Sequence, residues 1–200
     1  MARCFHASGM NLLFPIEPSY PEGFSYVQNF ISAEEEELLL EEISRTELHQ
    51  FQFQGYEAKR RVASFGYDYN FENGSLIKGS IIPPAFAPLI QKVSQKTSIT
   101  SERFAELLVT EYPPGAVINW HRDAPPFDVI AGISLQAGCI FRFRPYEKGK
   151  QSKVSVVSIN VERRSLYVME GKARTDFQHS IAPVKNQRYS ITLRTLRRPN

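Results

Sequence analysis

The chain has 200 residues, of which 42% are hydrophobic and 12% aromatic, with only two cysteines, Cys4 and Cys139. That length buries a core without disulfides, and the composition excludes a disordered chain, a disulfide scaffold and a membrane span. The formal charge of +3 conceals Glu34, Glu35, Glu36, Glu37, Glu41 and Glu42, one short segment without a basic residue. The rest of the chain is therefore more basic than the total and compatible with a polyanionic ligand, although an ordinary mixed-charge surface fits as well. Residues 1–9 lack the apolar core of a signal peptide, so a soluble, cytoplasmic, monomeric protein is expected, with Met10 as a candidate start.

In chain order, residues 1–23 read as an extended lead-in, with Pro15, Pro18, Pro21 and Gly23. Ser32-Ala33-Glu34-Glu35 has the form of a capping box, and its acidic first turn favours a helix start. A helix over about 33–44 follows, with Leu38, Leu39 and Ile43 as its buried stripe. Between Phe51 and Phe71 aromatic residues alternate with polar or small ones, which predicts strands, and Lys59-Arg60-Arg61 interrupts them. Aromatics interleaved with cations suit base stacking and phosphate contact, but from the pattern alone a hairpin using its aromatics as core cover is the better reading. Pro83-Pro84 introduces a second helix, about 85–96.

Strand after strand follows, at about 107–112, 115–121, 129–135, 139–145, 153–161, 165–170, 176–182 and 188–196. Eight short strands after two covering helices predict a single α+β, mainly β domain over 24–200, a double-sheet jelly roll with a mouth for a ligand.

The motif that organises the chain is Trp120-His121-Arg122-Asp123, with His179 as its distant partner. On an extended segment His121 and Asp123 project to one face. Two imidazoles and one carboxylate form an open ligand set that suits a non-haem Fe(II) centre. Taken alone, His-x-Asp is a weak signal, since four His and four Asp in this chain supply one by chance with a probability of ~0.08. Context strengthens it: an apolar run ending in Thr110-Glu111-Tyr112 before Pro113-Pro114-Gly115, and a last strand in which Arg188, Ser190, Thr192 and Arg194 alternate with Tyr189, Ile191 and Leu193. Asp128 has the wrong spacing to share a strand face with His121, His6 and His49 have no ligand partners at suitable spacing, and Trp120 reads as core.

On Thr110-x-Tyr112 before Pro-Gly, His121-x-Asp123, His179 and Arg188-x-Ser190-x-Thr192-x-Arg194, the chain resembles the AlkB family of Fe(II)- and 2-oxoglutarate-dependent dioxygenases over about residues 24–196. The stretch 164–171 leading to Ala173-Arg174 looks like the branch that includes the eukaryotic tRNA-modifying homologue as well as many bacterial members. The resemblance implies a double-stranded β-helix core over about 105–196 and a nucleotide-recognition lid over about 51–74. It also implies His121, Asp123 and His179 as catalytic metal ligands, with Fe(II) as metal and 2-oxoglutarate and O2 as cosubstrates. Arg188 would clamp the far carboxylate of 2-oxoglutarate, the Tyr112 hydroxyl would add a hydrogen bond, and Arg194 would serve the carboxylate end at the iron. Thr110 and Ser190 stand where many members have asparagine, Pro125 where an acidic residue selects adenine-type bases, and Met169 where an aromatic is common.

For the substrate, the resemblance implies oxidative demethylation of alkylated bases in DNA or RNA. Arg60 and Arg61 are then candidates for phosphate contacts, and Tyr67 and Tyr69 for stacking on an extruded base. The alternative is a hydroxylase or demethylase of tRNA or of protein.

Overall fold

The computed structural model describes residues 20–53, 56–70 and 73–198. Most of the expected lead-in therefore lies outside the described residues, as does the candidate start at Met10. In chain order the described elements are β1 (Phe24–Val27), α1 (Ala33–Ser44), β2 (His49–Phe53), β3 (Tyr56–Asn70), β4 (Ser75–Lys78) and α2 (Ala87–Thr97). They continue with β5 (Phe104–Tyr112), β6 (Ile118–His121), β7 (Phe127–Leu135), β8 (Cys139–Pro145) and β9 (Val157–Val161). The last are β10 (Leu166–Met169), α3 (Gly171–Thr175), β11 (Phe177–Ile181) and β12 (Arg188–Leu196). Among the described residues no helix is long and apolar enough to cross a membrane.

The strands form two antiparallel sheets. The larger runs β1-β10-β7-β12-β5-β3-β2, with β4 paired to β3, and the smaller runs β6-β11-β8-β9. On the outer face of the large sheet, Leu107, Val109, Ile133, Leu135, Ile191 and Leu193 pack with Leu39, Ile43, Phe86, Leu89 and Val93 of the helical layer. Between the sheets a second core contains Tyr112, Phe127, Ile130, Phe141, Phe143, Tyr167 and Met169. This is a double-sheet fold with flanking helices, and its site face lies inside.

Both expected helices are present. Ser32 and Glu35 make both reciprocal bonds of the capping box. The buried stripe differs from expectation: Leu38 is 68% exposed, while Glu36 joins Leu39 and Ile43 inside. The spacing 36, 39, 43 follows one helix face, whereas Leu38 lies about 100° from Leu39 around the axis. Buried Glu36 is satisfied by Arg163 Nε at 2.6 Å and the Gln136 backbone N–H at 2.6 Å. The carboxylate thus ties α1 to the loops at the end of the large sheet.

The eight expected strands are all present, two of them shortened by three or more residues. Gly115, at φ +81°, turns the chain and donates to Val184 O, so β6 begins only at Ile118. Ser152 caps a short 3-10 turn at Lys153–Ser155, so β9 begins only at Val157 and Val154 stands 95% exposed. The described part of the aromatic stretch forms two antiparallel partners, the end of β2 and the long β3. β3 pairs with β5 from Arg61 to Gly66, then leaves it to pair with β4 from Tyr67 to Asn70. Gly66 makes the transition possible: its φ is +83°, and a Cβ there would lie 2.2 Å from Ala105 O.

Candidate metal and cosubstrate site

β6 and β11 pair with His121 directly across from His179. Their ring centroids are 4.2 Å apart, and Phe141 stacks on His179 at 5.3 Å. Two residues beyond His121, Asp123 turns its Oδ2 to within 3.4 Å of His179 Nε2. The potential ligand atoms of His121, Asp123 and His179 all lie within 4.8 Å of one another. The residues picked from the sequence as a triad are thus assembled on facing strands and the loop that follows β6.

Each member of the cluster is held from behind. His121 Nδ1 lies 2.8 Å from Asn119 O, which fixes that nitrogen as a donor and leaves Nε2 with its lone pair. Asp123 Oδ1 accepts from Arg194 Nη2 at 3.0 Å, and Arg194 Nη1 donates to Glu106 Oε2 at 2.6 Å. Glu106 in turn accepts from Ser64 Oγ at 3.2 Å. From α3, buried Arg174 donates through Nη2 to the carbonyls of Asp123, Ala124 and Phe127, at 2.9, 2.7 and 3.2 Å. Asp123 Oδ2, by contrast, is buried without a hydrogen-bond partner among the described residues.

The electrostatics favour a carboxylate beside two neutral imidazoles. Burial works to raise the Asp123 pKa, but Arg194, His179, His121 and Arg174 together hold the carboxyl well below its usual range. Burial, reinforced by neighbouring His121, pushes His179 down to about 3. Burial also lowers His121, against the pull of Asp123, and Arg60 adds to the lowering. An ionised carboxylate oxygen without a donor, facing two unprotonated ring nitrogens, is a donor set that fits a divalent transition metal.

One consequence is a pH dependence of the metal-free protein. A histidine that stays neutral when folded but takes a proton when unfolded removes native stability as the pH falls below about 6.5, the unfolded value. The loss continues toward the folded value of about 3 for His179. Urea unfolding at pH 7.5 and 5.5 therefore yields a native state weaker by about 1 kcal/mol or more at the lower pH. Replacing His179 by an apolar residue of similar volume flattens that dependence.

On the same face of β12, Arg188 is 1% exposed. Its Nε donates to Ser134 Oγ at 2.9 Å, and Ser134 Oγ donates to Ala137 O at 3.0 Å. The guanidinium carbon lies 4.7 Å from the centroid of the Tyr112 ring, and Nη1 is buried with no partner among the described residues. A buried guanidinium with a free donor fits the far carboxylate of a small diacid. Arg194 is engaged by two protein carboxylates and retains a buried, unpartnered Nε.

Tyr167 lies between clamp and triad. Burial raises its hydroxyl well above the usual tyrosine range, Tyr112 and Asp123 add to the rise, and Arg188 opposes it. The ring crosses the strand opposite Gly132, where a Cβ would lie 2.2 Å from Tyr167 Cζ. Gly132→Ala is therefore expected to cost about 1–3 kcal/mol through overpacking. It also displaces Tyr167, measurable as a lowered Tm and a weakened cosubstrate affinity.

The substrate candidates divide. Neighbours on a strand face opposite ways. Arg61 lies on the helix-facing side, ion-paired with Glu111, which Gln187 and Tyr189 also bond, so it does not join Arg60 on the site face. Arg60 has its guanidinium carbon 3.8 Å from the centroid of the Phe51 ring, and its charge reaches His121. Tyr69 packs against the inter-sheet core, while half-buried Tyr67 sits across from Lys78 on β4. Trp120, expected in the core, is only half-buried on the outer side of the small sheet, where Arg142 and Arg144 lie over it. Reasoning from sequence missed Glu106, Ser134, Tyr167 and the role of Arg174. Of these only Glu106 had a usable signal, a carboxylate directly opposite Arg194 once β5 and β12 are paired in register.

Residues 23–197 match the 2OG-Fe(II) oxygenase superfamily. The chain is 30% identical over 171 residues to the mouse (Mus musculus) protein named tRNA (carboxymethyluridine(34)-5-O)-methyltransferase ALKBH8, a match covering 82% of this chain and 25% of that protein. It is 26% identical over 154 residues to human (Homo sapiens) alpha-ketoglutarate-dependent dioxygenase alkB homolog 3, covering 70% of this chain and 53% of the relative. The chain thus spans about a quarter of the length of the ALKBH8 protein and about half that of homolog 3. Among solved structures, OsALKBH1 superposes with a TM-score of 0.69 at 12% identity, covering 90% of this chain and 100% of that one. A Pseudomonas putida prolyl-4-hydroxylase superposes with a TM-score of 0.59 at 20% identity, covering 88% and 94%. At such identities these likenesses speak to the fold alone. The match along nearly the whole described chain decides the matter: the chain belongs to the 2OG-Fe(II) oxygenase superfamily and is related to its AlkB-family dioxygenases.

Proposed function

We propose that this chain is an Fe(II)- and 2-oxoglutarate-dependent dioxygenase acting on a base in RNA, with tRNA as the substrate class. The observation that carries the enzymatic reading is the pairing of two orphaned buried atoms, Asp123 Oδ2 at the imidazole cluster and Arg188 Nη1 at the clamp. Their chemistry is complementary to a divalent metal and to a carboxylate. His121, Asp123 and His179 would hold Fe(II), and Arg188 with Tyr112 would grip 2-oxoglutarate. When bound, the metal and cosubstrate supply oxidative decarboxylation to succinate and CO2, coupled to oxidation of a substrate C–H bond by O2. The protein's own part is positional. Ser134 sets the plane of the Arg188 guanidinium, Arg194 orients Asp123, and Tyr167 with Phe141 and Met169 keeps the space between the sheets dry.

For the substrate, similarity to a protein named for tRNA modification supports RNA. So does an arginine on the site face of β3 beside aromatic residues, in the segment 51–74 that we take as a recognition lid. Repair of alkylated bases in DNA or RNA is the second reading, favoured by the likeness to a dioxygenase named as an alkB homolog. The test is incubation of the chain with Fe(II), 2-oxoglutarate and O2, together with tRNA or with methylated DNA and RNA oligonucleotides. A gain of one oxygen on tRNA without formaldehyde supports the first reading. Formaldehyde released from methylated oligonucleotides alone supports the second. Succinate formation stimulated by no nucleic acid overturns both.

A further inference from the structure

We propose that the outer face of the small sheet is a second, non-catalytic contact surface for the nucleic-acid strand, built as a ladder of arginines stacked on aromatic rings; this rests on nucleic acid being the substrate. Alternation at the end of β6 sends His121 inward and Trp120 outward, with Asp123 in the loop that follows, so β6 carries part of the metal cluster on one side and this surface on the other. The guanidinium carbons of Arg142 and Arg144 lie 5.1 and 4.6 Å from the Trp120 ring centroid. Each is tethered through Nε to the residue across from it on β11: Arg142 to Ser180 Oγ at 3.0 Å and Arg144 to Gln178 Oε1 at 2.8 Å.

The tethers fix the planes of both guanidiniums, and the side chains that hold them among the described residues, Ser180, Gln178 and Trp120, are neutral. A second pair extends the ladder. The Arg122 guanidinium carbon lies 3.6 Å from the Tyr146 ring centroid, with Nη1 donating to Thr175 O at 3.0 Å. Beside it opens a groove of about 460 Å³ lined by Arg144, Tyr146, Glu147, Lys148, Gln151 and Gln178. The acid in that groove, Glu147, is neutralised by Lys150 at 2.6 Å.

Exposed cations are usually a solvated face, but these are stacked and oriented by neutral groups. Planar cations held over aromatic rings, two of them sharing the Trp120 ring, suit phosphates and unstacked bases better than an acidic peptide, whose carboxylates do not stack. β6 is an edge strand of its sheet. A strand lying across the ladder can therefore pass over that edge and turn one nucleotide inward to the cluster. The extruded base engages the inner site, and its flanking backbone engages the outer face.

The test measures binding apart from oxidation. Fluorescence anisotropy with an unmodified single-stranded RNA oligonucleotide, and with tRNA, is recorded across a salt series for the wild type, Arg142→Gln/Arg144→Gln and Arg142→Lys/Arg144→Lys. The Gln variant is expected to bind about tenfold more weakly at low salt and to lose about 1.4 from the log–log salt slope, two phosphate contacts at about 0.7 each. The Lys variant keeps most of the slope but loses affinity, because ammonium groups do not stack as guanidiniums do. Thermal unfolding and substrate-independent succinate formation, both at wild-type levels, show that the variants are folded. Unchanged affinity and slope in the Gln variant overturn the surface even where tRNA is oxidised. Equal displacement of RNA by poly-glutamate overturns it in favour of an acidic protein partner. Variant-sensitive RNA binding by a chain that oxidises no nucleic acid sustains the surface and removes the substrate reading instead.

Discussion

Substitution of His179 by alanine, or of Asp123 by asparagine, lowers succinate formation by about a thousandfold or more, the largest effect expected anywhere in the chain. Each change removes one of three convergent donors, and two remaining donors do not hold a divalent metal on one face. The two variants differ in what they leave behind. His179→Ala opens a space beside Phe141, which stacks on the imidazole, so a loss of stability of a few kcal/mol accompanies the loss of turnover. Asp123→Asn keeps the shape but leaves Arg194 with Glu106 as its sole carboxylate partner among the described residues. Metal affinity, followed with Co(II) by its absorption spectrum, separates the donor effect from the folding effect. Full turnover in Asp123→Asn would show that the cluster is not the catalytic centre.

The second large effect is expected at Arg188. Arg188→Met raises KM for 2-oxoglutarate by on the order of a hundredfold or more, since two charge-assisted hydrogen bonds contribute about 1.5–3 kcal/mol each. The same substitution leaves the free protein as stable as before, or more so. Burying a guanidinium that is only partly satisfied costs desolvation that the Ser134 bond and the Tyr112 ring do not fully offset, and an apolar side chain of similar length removes that cost. Calorimetric titration with 2-oxoglutarate, alongside thermal unfolding, checks both halves. Weakened cosubstrate binding together with an unchanged or raised Tm marks a binding residue. A lowered Tm with unchanged affinity would mark a purely structural one.

The parts of this molecule that were legible in the sequence are those governed by short-range periodicity. Alternation along 188–196 placed Arg188 and Arg194 on one face, and on the site side of β12 Arg188 is buried and Arg194 half-buried. The spacing of His121 and Asp123 placed them together, and strand pairing supplied His179. What sequence did not show depends on which face of each sheet is covered. Arg60 and Arg61 looked like a pair, yet alternation separates them, and Glu111 on the adjacent strand captures the second. Trp120 looked like core because it neighbours His121 and points the other way, but on that face its neighbours on the sheet are arginines. Glu36 looked like one of a run of solvated glutamates, and its burial is set by Arg163, 127 positions away. The Arg174 contacts to the Asp123 loop span about fifty residues and depend on the five-residue helix α3, which has no periodic signal of its own.

The measurement that bears most directly on the central claim is an anaerobic titration of Fe(II) into the chain with 2-oxoglutarate, monitored by visible absorption. A chelate of cosubstrate and metal held by His121, Asp123 and His179 gives a charge-transfer band in the wild type, none in His179→Ala, and one in Arg188→Met only at much higher 2-oxoglutarate. A wild type that develops no band, or a His179→Ala protein that develops it undiminished, would contradict the site described here.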